Sequence, residues 1–252
     1  GLNIPKSILS PPKSNSGNKI ISWNVGSLRS VLAKKPELLV KLWNDQSPAV
    51  LGIMETKISE KEEVQVHGQL THLFKNSKVK IVFNHSTVKK GYSGTCLIFN
   101  LEKTGAPEDM RKDIGAADKE GRVISAFLPK LDCFVVLCYS PNSGQTLDRL
   151  DYRVKTFDPK LADFCKKLHS EKNRPVVLIG DLNVAVDDED IWNLDAPHIS
   201  KQAGCTDEER ESFRKNFLEN GFVDTFKEEN EGAKGWFSYW SVRANNKPKN
   251  RG

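Results

Sequence analysis

Short apolar runs of β-strand length recur along the chain from residue 20. They are rich in Val, Ile, Phe and Cys, the composition of sheet interiors. The predicted strands are Ile20–Val25, Val50–Met54, Lys80–Phe83, Thr95–Phe99, Arg122–Leu128, Cys133–Tyr139 and Val176–Ile179. The runs within residues 80–99 and within 121–139 follow each other too closely for a crossover helix, so each pair is expected to form an antiparallel hairpin.

Apolar residues at helical spacing separate some of these strands. Such faces are formed by Leu38, Leu39, Leu42 and Trp43, by Leu147, Leu150, Val154 and Phe157, and by Leu161, Phe164, Cys165 and Leu168. Asp158 and Pro159 predict an N-cap and a first helical residue. Residues 206–209 have the sequence of a capping box, and residues 220–221 predict the end of that helix. The pattern indicates an α/β protein in which mixed sheets stack on each other and are covered by helices.

Composition places the chain among globular proteins. It has 252 residues, of which 38% are hydrophobic and 28% are charged, and its mean hydropathy is −0.50. These values exclude the disordered and collagen-like classes. Because no apolar run approaches the roughly 20 residues of a membrane-spanning helix, we expect no membrane partner.

The net charge of +5 comes from the two ends of the chain. Residues 1–19 carry three lysines and no acid and are rich in Pro, Ser, Asn and Gly, which predicts a flexible leader. Residues 243–252 carry two arginines and two lysines without an acid, a composition suited to a polyanion. The five cysteines are scattered and form no C-x-x-C pair, so we expect free thiols rather than a zinc site or disulfides.

Four of the apolar segments end in polar side chains that suit a catalytic pocket. These side chains are Asn24, Glu55, Tyr139 with Asn142, and Asp181 with Asn183. A carboxylate at the end of a buried strand is costly unless it has a partner or a metal. Carboxylates and amides suit Mg²⁺, which polarises a phosphate and aligns an attacking water. Each residue alone also fits a structural role, such as an exposed turn at Glu55 or a strand-end cap at Asn24, but four segments in order favour a site.

Eight segments of the chain match the motifs of one enzyme family. The segments are SWNVGSLRS at 22–30, METK at 54–57, KKGYSGTCLIF at 89–99, EGRVI at 120–124, YSPNSG at 139–144, GDLNVA at 180–185, AGCTDEERESF at 203–213 and YWSVRANNKPKNRG at 239–252. In sequence and in order they resemble the exonuclease III-like apurinic/apyrimidinic (AP) endonucleases of the endonuclease/exonuclease/phosphatase superfamily. GYSG, YSPNSG and NKPKNRG point to the DNA-repair branch.

The resemblance implies a four-layer α/β sandwich and a base-excision-repair activity. That activity is hydrolysis of the phosphodiester 5′ to an abasic site, with Mg²⁺ or Mn²⁺ as cofactor and with trimming of 3′ ends as a further activity. Glu55 would be the principal metal ligand, and Asp181 would align or deprotonate the attacking water. Asn24 and Asn183 would orient this machinery and hydrogen-bond the phosphate.

The same resemblance implies a set of contacts to double-stranded DNA. Tyr139 and Asn142 would contact the scissile phosphate, Tyr92 matches a DNA-contacting tyrosine, and Tyr239 and Trp240 match the aromatic residues that line the pocket for the extrahelical sugar. Extruding an abasic nucleotide is cheap because no base pair is lost. The basic residues expected to bind phosphates are Arg243, Lys247 and Lys249, for which a solvated loop is the structural alternative.

The chain departs from the family pattern at three places. Gly26 stands where many members have Asp or Asn beside the metal, which puts a second metal there in doubt, and Gln145 replaces a basic residue of some relatives. Within residues 1–252, no S-D-H motif follows the N-R-G run. We therefore expect residues 20–252 to form a catalytic domain without its C-terminal strands, inactive by itself. A second polypeptide or a longer chain would supply that segment, and the protein would otherwise be a monomer.

Two other functions remain open at the level of sequence. A retrotransposon-type endonuclease or a superfamily phosphatase would share the Asn, Glu and Asp-Leu-Asn positions, and a catalytically silent DNA-binding fragment would share the basic segment. Cleavage of an oligonucleotide with one abasic site separates these functions. A DNA-repair substrate favours a nuclear location, with a mitochondrial or other organellar location as the alternative.

Overall fold

The structure is a computed structural model that describes residues 17–112, 114–115, 118–241 and 244–252. These residues fall into two compact units. The sheet unit consists of Gly17–Pro141 and Lys160–Leu182, and the helical unit contains Asn142–Pro159 and Asn183–Gly252. Residues 1–16, most of the predicted leader, lie outside the described residues.

The sheet unit contains eight strands in the described residues. They are β1 (Ile20–Asn24), β2 (Val50–Met54), β3 (Val79–Asn84), β4 (Thr95–Asn100), β5 (Glu108–Lys112), β6 (Val123–Leu128), β7 (Cys133–Tyr139) and β8 (Val176–Asp181). One sheet has the order β1-β2-β4-β3 and the other β5-β6-β7-β8. The pairs β1/β2 and β7/β8 are parallel and the other neighbours are antiparallel, which confirms both predicted hairpins.

Helices separate and follow these strands. The α-helices are α1 (Leu28–Lys34), α2 (Glu37–Gln46), α3 (Glu60–Leu73), α4 (Leu101–Thr104), α5 (Leu150–Tyr152), α6 (Asp158–Lys172), α7 (Asp207–Asn216) and α8 (Thr225–Glu229). A π-helix (Arg153–Phe157) joins α5 to α6, and short 3₁₀ turns span Asp188–Asp190, Ile199–Lys201, Leu218–Asn220 and Lys247–Lys249. Among the described residues, none of these helices combines the length and apolar character needed to cross a membrane.

The two sheets pack face to face around a fully buried core. Phe99 of β4, Ile124 of β6 and Leu137 of β7 lie in this core with Met54 at the end of β2. Burying each such side chain contributes about 1.5–3 kcal/mol. The core fixes the ends of β2 and β7, at which two of the predicted site residues stand.

Helices cover the outer faces of both sheets. Leu39 and Trp43 of α2 and Leu70 of α3 pack on the first sheet. On the second sheet, Lys172 of α6 lies 4.7 Å from the centre of the Phe127 ring. The order helix, sheet, sheet, helix confirms the expected four-layer α/β sandwich.

Two helix boundaries differ from the sequence prediction. Asp158 is not an N-cap, because α5, the π-helix and α6 follow one another without a break and Asp158 has helical dihedrals of −60° and −47°. Its buried carboxylate instead accepts a hydrogen bond from Ser212, at 2.9 Å. The capping box of Thr206 is confirmed, but α7 ends at Asn216, and the predicted stop at residues 220–221 is the end of the following 3₁₀ turn.

The structure also adds a strand and settles the thiols. Strand β5 escaped prediction because its sequence, EDMRK, has no apolar run and it lies at the edge of its sheet. All five cysteines lie in described residues and are free thiols, as expected.

Candidate active site

The two parallel strand pairs bring four predicted site residues to neighbouring strand ends of the sheet unit. In β1/β2, Asn24 is in register with Met54, the residue before Glu55. In β7/β8, Tyr139 is in register with Asp181. The backbone N–H of Asp181 donates to Met54 Sδ, at 2.9 Å, which connects the two sheets at this end. Because parallel strands end at the same edge, residues far apart in sequence meet here.

Hydrogen bonds join these four side chains into one cluster. The Asn24 amide, through Nδ2, donates to Glu55 Oε1 at 3.0 Å and to Asp181 Oδ2 at 2.8 Å. Its orientation is set by Gly26, whose backbone N–H donates to Asn24 Oδ1 at 3.0 Å. The Tyr139 hydroxyl also donates to Glu55 Oε1, at 3.0 Å. One amide therefore bridges two carboxylates.

The electrostatic environment keeps Glu55 ionised and Tyr139 neutral. Lys57 Nζ lies 2.7 Å from Glu55 Oε2. Burial alone would raise the pKa of Glu55, but hydrogen bonds from Lys57, Asn24 and Tyr139 outweigh it and lower the pKa from its ordinary 4.5. Burial, followed by the nearby Glu55 charge, raises the pKa of Tyr139 well above its ordinary value. Its hydroxyl therefore remains a donor at neutral pH.

The backbone at these strand ends adopts conformations that need local support. Glu55 has φ of 56° and Lys57 has φ of 51°, in the left-handed region. Each such residue costs about 1–3 kcal/mol and is typical of functional sites. Gly180, just before Asp181, has φ of +133°, and a Cβ there would lie 1.9 Å from Cys138 O. Only glycine lets β8 approach β7 this closely.

Arg122 lies between two of the predicted site tyrosines, and its side chain is only 2% exposed. The guanidinium donates to Tyr92 Oη at 3.2 Å and to the Tyr139 carbonyl at 2.9 Å. Its carbon also lies 4.6 Å from the centre of the Tyr139 ring. Glu120 balances the charge, with Oε2 at 2.6 Å from Arg122 Nε. Tyr92 and Tyr139 are thus joined through one buried cation.

The cluster has the donor chemistry of a divalent-cation site. Mg²⁺ is commonly held by one or two carboxylates and by water molecules. Glu55 and Asp181 supply two carboxylates beside one amide, and the Lys57 ammonium shows that Glu55 accommodates a positive charge at Oε2. In the part of the chain that the structure describes, no three or more His, Cys, Asp or Glu residues cluster as a metal cage. The Glu55 and Asp181 carboxylates fit a hard cation that keeps most of its water ligands.

Other predicted site residues belong to the helical unit. Asn142 Nδ2 donates to Asn183 Oδ1 at 3.2 Å, and the Gly144 backbone N–H donates to Asn142 Oδ1 at 2.9 Å. Asn183 has φ of 49°, a left-handed conformation that asparagine tolerates. The two predicted phosphate-binding amides are therefore paired.

The predicted aromatic and basic DNA contacts also lie in the helical unit. Lys247 Nζ lies 5.5 Å from the centre of the Trp240 ring, and Trp240 Nε1 donates to Asn250 Oδ1 at 3.2 Å. Tyr239 is 70% exposed, and Lys249 is exposed. Arg243, the remaining predicted contact, lies outside the described residues.

The sequence prediction missed two residues of this geometry. Lys57 stands within METK and Arg122 within EGRVI, so both were inside recognised segments without an assigned role. Arg122 was predicted to begin a strand, but β6 begins at Val123. A charged residue beside a predicted buried run was the available signal.

Comparison with known proteins identifies the family. The endonuclease/exonuclease/phosphatase family model matches residues 21–251. The chain belongs to this family. Members of the endonuclease/exonuclease/phosphatase family depend on divalent metal ions, in keeping with the donor chemistry of the cluster.

Proteins similar to this chain have the names of enzymes that act on DNA. An exodeoxyribonuclease of Bacillus subtilis (strain 168) is 37% identical over 236 residues, which cover 93% of this chain and 84% of that protein. The DNA repair nuclease APEX1 of Danio rerio is 35% identical over 249 residues, which cover 98% of this chain and 74% of that protein. The crystal structure of the AP endonuclease LMAP from Leishmania major matches with a TM-score of 0.81 and 31% identity, over 93% of this chain and 76% of that chain.

Proposed function

We propose that this protein is an AP endonuclease that hydrolyses the phosphodiester 5′ to an abasic site in double-stranded DNA. Trimming of 3′ ends is proposed as a further activity. The observation that carries the proposal is the bridging of Glu55 and Asp181 by the Asn24 amide. It is supported by a relative in the same family that is named an AP endonuclease.

The proposed roles of the two carboxylates follow from their surroundings. Glu55 remains ionised and is proposed to hold Mg²⁺, or Mn²⁺ in its place. When bound, the cation polarises a phosphate oxygen. Asp181 is proposed to align the attacking water and to accept its proton, with Asn24 holding the carboxylate in place.

Neutral donors are proposed to bind the scissile phosphate. The Tyr139 hydroxyl stays protonated because its pKa is raised, so it can donate to a phosphate oxygen. Asn142 and Asn183 carry amide donors that add no charge. Donors of this kind stabilise developing negative charge without proton exchange.

Aromatic and basic side chains are proposed to hold the DNA. The exposed ring of Tyr239 and the ring of Trp240 offer surfaces for an extruded sugar or a neighbouring base. Tyr92, on its Arg122 support, is proposed to contact the backbone. Lys247 and Lys249, together with Arg243, are proposed to neutralise phosphates.

The extent of the catalytic domain and the location of the protein in the cell are also proposed. We propose that the catalytic domain begins at residue 20, since the family match begins at residue 21. A genomic DNA substrate supports action in the nucleus, with a DNA-containing organelle as the alternative. Imaging of the tagged full chain in its own cells distinguishes the two.

A cleavage assay on defined duplexes tests the proposal. The intact mass of the protein from its source first fixes the length of polypeptide to assay. The full chain is then incubated with a 5′-labelled duplex that carries one abasic site, and with the same duplex without the lesion. We expect one nick, immediately 5′ to the lesion, with Mg²⁺ and none with EDTA.

Matched variants assign the activity to the site. Glu55→Gln should abolish nicking at low Mg²⁺, while Glu102→Gln, an exposed carboxylate on α4, should nick like the parent. An uncut abasic duplex in Mg²⁺ would contradict the proposed function, as would equal cutting of the intact duplex.

A further inference from the structure

A set of buried charges lies within the helical unit. The side chain of Arg153 in the π-helix is 1% exposed and that of Glu209 in α7 is 0% exposed. Arg153 Nη1 lies 3.4 Å from Glu209 Oε1, and Arg153 Nε lies 3.6 Å from Asp158 Oδ2. Ser212 Oγ donates to the same Asp158 oxygen at 2.9 Å. The charges are therefore paired away from water.

This buried set forms hydrogen bonds to the chain at two places, the backbone of Asn183 and the residue that follows Asn142. Arg153 Nη1 donates to the backbone carbonyl of Asn183 at 2.6 Å. Glu209 Oε1 accepts a hydrogen bond from Ser143 Oγ at 2.6 Å, and Ser143 follows Asn142 in the chain. One ion pair thus anchors the backbone of Asn183 and the residue next to Asn142.

A third loop is fixed by the second oxygen of Glu209. Glu209 Oε2 accepts from the Gly204 backbone N–H at 2.6 Å and from Thr206 Oγ1 at 2.8 Å. Gly204 has φ of +86°, and a Cβ there would lie 3.1 Å from Asn183 O. The loop before α7 is therefore packed closely against the Asn183 backbone.

Stability alone is a poor explanation for these charges. A buried ion pair is often no more stabilising than apolar residues of the same size, because both charges lose hydration. Burial raises the pKa of Asp158 above its ordinary 3.8, although Arg153 and Ser212 oppose this shift. The contacts to Arg153 and Ser212 therefore do not fully offset the hydration that the Asp158 carboxylate loses on burial. A π-helix, which here holds Arg153, is also frequent at functional sites.

We propose that Arg153 and Glu209 are positioning residues that hold the Asn142–Asn183 amide pair in the orientation needed to bind the scissile phosphate. Neither residue touches the phosphate. They act through the Asn183 carbonyl and through Ser143. The expected effect of Arg153 and Glu209 on catalysis rests on the proposed function. Their effect on the orientation of the amide pair can be measured without a catalytic assay.

The double variant Arg153→Met with Glu209→Leu separates positioning from stability. Because Asp158 also loses its Arg153 partner, the double variant is made in an Asp158→Asn background, in which no buried charge is left unpaired, and we expect it to unfold at about the denaturant concentration of that background. Its kcat on the abasic duplex should fall by about 100-fold, with KM changed less, because a displacement near 1 Å has that effect on a reacting geometry. A stable double variant with parental kcat would overturn the proposal.

A milder variant covers the case in which the double variant does not fold. Ser143→Ala removes one hydrogen bond to the buried Glu209, so it should lower the melting temperature by several degrees. At a temperature at which the variant is fully folded, kcat should fall by about tenfold. Ser170→Ala, which removes a surface hydrogen bond on α6, is the matched control and should keep the parental kcat. Parental kcat in Ser143→Ala would count against the positioning role.

A spectroscopic readout distinguishes failure of this proposal from failure of the proposed function. The side-chain amide signal of Asn142 in the full chain is assigned by its loss in Asn142→Asp. Its hydrogen exchange should be slower in the parent than in Ser143→Ala. If the parent does not cut the abasic duplex, the proposed function is wrong. The hydrogen-exchange rate of the Asn142 amide still tests whether Arg153 and Glu209 position the amide pair. Equal exchange in parent and variant would refute positioning even in an active enzyme.

Discussion

At the scale of single residues, the candidate site depends on a carboxylate whose charge is fixed by its neighbours. The pKa of Glu55 is lowered, so its contacts stabilise the fold fully above pH 4.5 and lose that effect as the pH falls through the lower folded-state value. The ionised form is therefore present at neutral pH. Lys57 is the cationic contributor to this state.

Removing the Lys57 charge should raise the pKa of Glu55. In Lys57→Met the carboxylate loses its ammonium partner while burial remains, so its carboxyl ¹³C shift should titrate at a higher pH than in the parent. Lys41→Met, which removes the exposed partner of Asp45, is the control and should leave the Glu55 titration in place. An unshifted Glu55 titration in Lys57→Met would show that the ammonium does not set this pKa.

Removing the buried Arg122 guanidinium should destabilise the protein strongly. Arg122→Met removes the buried guanidinium that donates to Glu120 and to the Tyr139 carbonyl, so we expect a loss of about 3–5 kcal/mol in the free energy of unfolding. Arg174→Met breaks the exposed pair with Asp132 and should cost about 0–1 kcal/mol. Denaturant unfolding measures both, and equal small losses would contradict the supporting role of Arg122.

Sequence could predict the site residues at strand ends but not the charges that support them. Asn24, Glu55 and Asp181 follow apolar runs, which makes a polar residue there conspicuous. Arg153 stands three residues after Leu150 and four before Phe157, on what the pattern treats as an apolar helical face. Its partner Glu209 lies 56 residues further on, and such a distant pairing leaves no local signal.

At the scale of elements, the approach of β8 to β7 places Asp181 opposite Tyr139. Gly180→Ala would put a Cβ 1.9 Å from Cys138 O, so β8 must shift or lose its pairing. We expect a marked drop in melting temperature or an insoluble protein. Gly68→Ala on the exposed side of α3 meets nothing within 4 Å and should stabilise by about 0.5–1 kcal/mol. A Gly180→Ala protein as stable as the parent would contradict this geometry.

Element prediction succeeded where burial is two-sided and failed where tertiary contacts decide. The runs at β2 and β7 were predicted with their observed bounds because these strands are buried on both faces. The edge strand β5 shows only exposed and half-buried positions. Asp158 followed by Pro159 has the sequence of a helix N-cap. In the structure, however, Asp158 lies inside a longer continuous helix and accepts a hydrogen bond from Ser212.

At the scale of the whole molecule, basic residues near the end of the described chain should make DNA binding depend on salt. Each phosphate neutralised by Lys or Arg contributes about 0.9 to the slope of log K against log salt. The double variant Lys247→Ala with Lys249→Ala should reduce that slope by about 2. Lys75→Ala with Lys78→Ala, after α3, is the control. An unchanged slope of log K against log salt in the Lys247→Ala, Lys249→Ala variant would mean that DNA phosphates do not contact these two lysines.

The proposed activity depends on Asp181 serving the attacking water from its place beside Asn24 and Glu55. The most direct test is the single-turnover rate of 5′ incision of an abasic duplex by the full chain and by Asp181→Asn, with Asp163→Asn on α6 as the control. The amide keeps the shape but cannot accept the proton, so the rate should fall by about 10²–10⁴-fold while the control keeps the parental rate. Incision by Asp181→Asn at the parental rate would contradict the account.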